Sequence, residues 1–125
     1  MPPLFLVMLG GALGAGLRYQ ATYAALRLFG PGFPWGTWIV NLLGGLLMGV
    51  LAAFVARQVD GEPLRLFLGA GVLGGFTTFS AFSLEVFAML DKGQHVLASA
   101  YAVSSVAGSV MMVVAGIYLF RAFAA

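Results

Sequence analysis

Four stretches of this chain carry no Asp, Glu, Lys or Arg: Met1–Leu17, Leu28–Ala56, Leu66–Leu84 and Gly93–Phe120, the last holding only His95. A helix needs about 20 mainly apolar residues to cross a hydrocarbon layer roughly 30 Å thick. Each stretch, with its margins, is therefore predicted to be one crossing. Helix breakers separate them: Gly30-Pro31-Gly32-Phe33-Pro34, then Arg57 to Pro63, then Asp91 to His95. The expected spans are 4–29, 35–56, 64–90 and 96–123, a single all-α integral membrane domain over 1–125. Composition agrees, with 62% hydrophobic and 8% charged residues, against about 25% charged in soluble domains. Leu4–Ala15 lacks a basic n-region and stays apolar beyond any plausible cleavage site, so it reads as the first crossing rather than a leader.

The six Lys and Arg residues are scattered, with no basic patch for nucleic acid. Cys is absent and His95 is the single histidine, so thiolate and zinc chemistry are excluded. With both termini on one side, Arg57, Arg65 and Arg121 face Arg18, Arg27 and Lys92 across the membrane. The positive-inside rule acts on a Lys/Arg difference, and here there is none. Insertion in both orientations is expected.

Many of the 18 glycines lie inside the helices. Gly10/Gly14 and Gly45/Gly49 have the small-xxx-small spacing that lets backbones pack closely in lipid. Four tightly packed helices enclose little space, so a conduit would lie between subunits. The third span, 64–90, would be about 40 Å long as one helix. Its Gly69–Thr78 middle is rich in glycine and hydroxyl residues, and a break there is expected. Carbonyls freed at that depth must be buried in protein or line a polar site.

Polar side chains within the crossings are few, and each is costly in lipid. Thr37 and Asn41 share a face of the second helix; Thr77, Ser80 and Ser83 form a hydroxyl stripe on the third, and Tyr101, Ser105 and Ser109 another on the fourth. The Asn41 amide has two donors and an acceptor to satisfy. Arg18, deep in the first helix at a cost on the order of 3 kcal/mol, is expected to snorkel to an interface or to attract anions at a pore entrance. Glu85 lies near the far end of the third helix. Phe79 and Phe82 are spaced to share a face, and ring edges are electropositive. Neutral donors and ring edges can carry a small anion without a full charge to trap it. No phosphate-binding loop, catalytic triad or mid-membrane carboxylate in the first two helices is present, so ATP drive, enzymatic chemistry and proton coupling are unsupported. Passive transport is the residual reading. A small dual-topology multidrug exporter is the alternative, and it wants a first-helix carboxylate that is missing here.

Three motifs, Gly10 to Tyr19, Gly36 to Gly44 and Gly74 to Glu85, occur in an order that resembles the Fluc (CrcB) fluoride channels, over essentially the whole chain. The last, Gly-Gly-Phe-Thr-Thr-Phe-Ser-Ala-Phe-Ser-Leu-Glu, is the most specific, with Ala81 standing where a Thr is common. The resemblance implies a passive fluoride channel in the cell membrane, built as an antiparallel dual-topology homodimer with two pores between the subunits. It implies a structural Na⁺ held by backbone carbonyls of Gly74 and Thr77 at a broken third helix. It also assigns Asn41, Phe79, Phe82, Thr37 and Ser83 to the fluoride pathway, with Arg18 and Glu85 at the vestibule. Ser80, Tyr101, Ser105 and Ser109 join the pathway through their hydroxyl stripes. Fluoride, the lipid bilayer and a second copy are the only partners implied.

Overall fold

The computed structural model describes residues 2–124. Helix α1 is Pro3–Phe29. Pro3 suits a first turn, where its missing N–H would be unpaired anyway. Gly30 ends the helix with φ +79°, a left-handed conformation favoured by glycine, and its N–H donates to the Leu26 carbonyl at 2.9 Å. Helix α2, Trp35–Val55, begins directly after Pro34. The third span starts with α3, residues 62–76: an α-helical turn at Glu62–Leu64, a π-wound segment Arg65–Leu73, and an α-helical Gly74–Phe76. Thr77 is extended (φ −87°, ψ 160°). Helix α4 follows as Ser80–Asp91. After Gly93, the second left-handed glycine (φ +78°), α5 runs from His95 to Ala124.

Four spans, Pro3–Phe29, Trp35–Val55, Glu62–Asp91 and His95–Ala124, are long and apolar enough to cross a membrane. Their apolar side chains point outward: Leu13, Leu17, Val103 and Met111 are all more than half exposed. Such a surface suits lipid and not water. Phe82, Met89, Ala98 and Tyr101 form a buried cluster where α4 meets α5, with Phe33 and Trp38 packed on it.

Glycines set how near the backbones come. α2 packs along α5 and α1 along α3. A methyl group on Gly45 would meet the Ser109 carbonyl at 2.7 Å, and one on Gly49 would run into that of Val113. Gly10 lies against Phe67 and Gly71, and Gly14 against Val72. Both small-xxx-small pairs are thus used within one chain.

The ends of the bundle sort the charges. Arg57 donates to the Ala124 carbonyl at 3.0 Å and sits over the Phe120 ring at 5.4 Å, so the ends of α2 and α5 lie together. Arg18 belongs to neither end: halfway along α1, its Nε donates to the Gly75 carbonyl at 3.0 Å.

Candidate functional site

The site grows from the stretch 77–79, where the third span leaves helical geometry. Side-chain hydrogen bonds hold this stretch and the turn that leads into it. The Asn41 Nδ2 donates to the Thr78 carbonyl at 2.9 Å, and the Thr78 N–H donates to Asn41 Oδ1 at 2.8 Å. The side-chain amide thereby replaces the helical neighbours that Thr78 lost. Arg18 serves the Gly75 carbonyl one turn earlier. Thr77 turns its own hydroxyl back onto the Leu73 carbonyl at 2.9 Å, while its methyl occupies the place a side chain at Gly44 would need. Gly44 is small because the extended backbone passes there.

Beside this stretch runs a groove of about 440 Å³. It brings together Asn41, Thr77, Phe79, Phe82, Ser105 and Ser109. The Phe79 and Phe82 rings are 5.6 Å apart and tilted by 44°. They are not equivalent faces of one helix: Phe79 precedes α4 and is 75% exposed, whereas Phe82 is 8% exposed. The Ser105 hydroxyl is buried without a hydrogen-bond partner among the described residues. A buried unpaired hydroxyl costs about 1–3 kcal/mol, and this one lines the groove.

Phe82 leads to the second cluster, its ring 5.2 Å from that of Tyr101. Tyr101 donates its hydroxyl to Glu85 Oε1 at 2.9 Å, and Thr37 donates to Glu85 Oε2 at 3.1 Å. Side chains from α2 and α5 thus converge on a carboxylate of α4. Thr37 and Tyr101 are buried, and Glu85 is half-buried. A second cavity, about 280 Å³, opens beyond Thr37 and Glu85 toward Tyr19, Phe33 and Trp35.

The remaining expected residues lie apart. Ser83 is exposed and bonds back to the Phe79 carbonyl at 2.9 Å; Ser80 is exposed, 3.5 Å from the Thr78 hydroxyl. Gly74 borders another groove, with Met48, Leu51 and Ala52. Two contributors escaped the sequence reading. Thr78 is the residue Asn41 holds, and only its place beside Thr77 hinted at it. Ser104 accepts from the Trp38 indole at 3.0 Å, and its place next to Ser105 gave no signal.

Comparison with known proteins follows the same lines. Residues 5–117 match the family model described as CrcB-like protein, Camphor Resistance (CrcB). A protein of Sphingopyxis alaskensis named fluoride-specific ion channel FluC is 51% identical over 122 residues, covering 97% of each chain. One of the same name from Novosphingobium aromaticivorans is 53% identical over 115 residues, 90% of this chain and 88% of its own. Another, from Mesorhizobium japonicum, is 43% identical over 118 residues, 94% and 95% of the two chains. With most of its length matched and its four apolar spans in place, this multi-pass membrane chain belongs to the CrcB family.

Proposed function

We propose that the chain forms a passive fluoride channel that lets fluoride leave the cell across its plasma membrane. The observation that carries this reading is the groove in which the Asn41 amide, the unpaired Ser105 hydroxyl, Ser109 and the two phenylalanine rings meet. The name shared by relatives of about half identity agrees with it. Every donor lining the groove is neutral, which suits an ion that must bind and then leave. One Asn41 amide proton goes to Thr78, which leaves the second for the anion. Fluoride then follows the ring edges of Phe79 and Phe82 and the hydroxyls of Ser105 and Ser109. Thr37, Tyr101 and Glu85 form the polar end of the path, and the exposed Ser80 and Ser83 would join it only once a second copy covers their face of α4. Arg18 keeps a positive charge beside the route while its Nε holds the Gly75 carbonyl.

The groove of one chain lies open, with Phe79, Val106 and Val110 exposed along it. A second copy would close it, and the near balance of basic residues between the two ends of the bundle supports an antiparallel, dual-topology homodimer with two pores. In this arrangement the non-helical 77–79 stretch is the mid-membrane break of the third helix. Among the described residues no donor reaches the Gly74 or Thr77 carbonyls. Such oxygens suit a hard cation, and they would hold a structural Na⁺ shared with the second copy. When bound there, Na⁺ would satisfy the unpaired Gly74 and Thr77 carbonyl oxygens at the break and take no part in conduction.

Reconstitution in liposomes with a fluoride electrode tests the function. Fluoride release with chloride retained supports it, and release no faster than from empty vesicles contradicts it. Labelling a tag at one terminus tests the assembly, since dual insertion gives access from both sides.

A further inference from the structure

The π-wound segment Arg65–Leu73 is the feature that the pathway does not account for. The N–H of Gly74, its first following residue, donates to the Gly69 carbonyl, an i to i−5 bond, and also reaches the Gly71 carbonyl. An α-helix repeats every 3.6 residues, and i→i+5 bonding winds roughly 4.4 residues per turn. The contacts of α1 reveal what this winding does. Gly10 and Gly14 lie against Phe67, Gly71, Val72 and Phe76, while Gly75 lies against Gly11 and Ala15. Phe67 and Phe76 are nine positions apart, about two and a half turns of α-helix, which would set them on opposite faces. The π winding brings Gly71, Val72, Gly75 and Phe76 back within about 70° of Phe67. Exposed positions follow the same long repeat: Arg65, Ala70 and Gly74.

We infer that Arg65–Leu73 holds one residue more than an α-helix needs, and that its π winding sets the orientation in which Thr77–Phe79 reaches Asn41 and Arg18. If the same residues wound as an α-helix, the backbone after Leu73 would rotate by about 110° relative to Phe67, six steps of about 18° each and close to one residue's worth. The Gly75 carbonyl would leave Arg18, and Thr78 would leave the Asn41 amide. Winding, not side-chain identity at Ala70, is then what matters.

This yields an unusual expectation for a membrane helix. Deleting exposed Ala70 lets the segment close as an ordinary α-helix, with Gly71, Val72, Gly75 and Phe76 within about 30° of their present bearings. The deletion is tolerated. Deleting exposed Leu84 from α-helical α4 has no surplus residue to absorb it, and turns Glu85 away from Thr37 and Tyr101.

The test uses full-length chain in liposomes, comparing the parent with the Ala70 and Leu84 deletions by thermal unfolding and fluoride efflux. The functional half rests on the fluoride reading above, and the unfolding half does not. Expected is an Ala70 deletion that inserts, unfolds near the parent temperature and conducts, beside a Leu84 deletion that loses both stability and flux. An Ala70 deletion that fails to fold, or that folds without conducting while the parent conducts, overturns the inference. A parent that does not conduct contradicts the fluoride reading alone, and the unfolding comparison still decides the winding. An experimental structure of the parent with the Gly74 N–H on the Ala70 carbonyl, the α-helical partner, also overturns it.

Discussion

Asn41 and Thr78 exchange two hydrogen bonds, side-chain amide to backbone, at 2.9 and 2.8 Å. The pair makes a helical residue of α2 into a substitute for the helix that the third span leaves at this point. The amide that holds the backbone is also one that lines the groove.

Asn41→Ala leaves the Thr78 N–H and carbonyl without partners. Each unsatisfied buried group costs about 1–3 kcal/mol, so both stability and flux fall. Asn41→Asp keeps the acceptor for the Thr78 N–H, removes both amide donors and adds a negative charge. It is expected to retain more stability than alanine while losing flux entirely. Unfolding in detergent and liposome efflux measure the two effects.

Ser105→Ala separates ligand binding from folding. The native hydroxyl is buried and unpaired, so its loss leaves stability unchanged or raised by up to about 1–3 kcal/mol. Fluoride efflux slows all the same. A variant that unfolds earlier than the parent shows that Ser105 has a structural partner instead.

Tyr101→Phe removes one of the two hydroxyls on Glu85. Hydrogen bonds to charged groups contribute about 1.5–3 kcal/mol. Thr37→Val removes the other. Each variant lowers stability and flux, and the double variant is expected to be non-additive because both hydroxyls share one carboxylate. A double-mutant cycle in unfolding free energy checks this, with additivity as the contrary result.

Gly44→Ala and Gly49→Ala place a methyl group against the Thr77 methyl and the Val113 carbonyl. Overpacking of this kind costs about 1–3 kcal/mol. Gly11→Ala meets no neighbouring atom and serves as the unaffected control. Gly44→Ala is expected to lower flux more than Gly49→Ala at equal loss of stability, because it displaces Thr77.

The parts legible in the sequence were those written in local chemistry. Charge-free runs marked the crossings, and Gly10/Gly14 and Gly45/Gly49 marked the faces that pack, because glycine spacing is a property of one helix. What two helices do to each other was not legible. Arg18 reads as a snorkelling or anion-attracting residue until the Gly75 carbonyl lies against it. Phe79 and Phe82 read as one helical face because α4 was not expected to begin between them. Thr37, Glu85 and Tyr101 belong to three helices whose approach no spacing reports. The π winding leaves no compositional trace, since glycine and leucine populate either helix.

The central claim is that the chain conducts fluoride passively, and electrical coupling tests it most directly. Liposomes loaded with potassium fluoride and containing the full-length chain are diluted into fluoride-free medium without a pH gradient, and a fluoride electrode follows release. The account predicts slow release until valinomycin lets K⁺ carry the compensating charge, then rapid fluoride efflux with no imposed proton gradient. Release no faster than from empty vesicles after valinomycin, or release that needs a proton gradient, would contradict it.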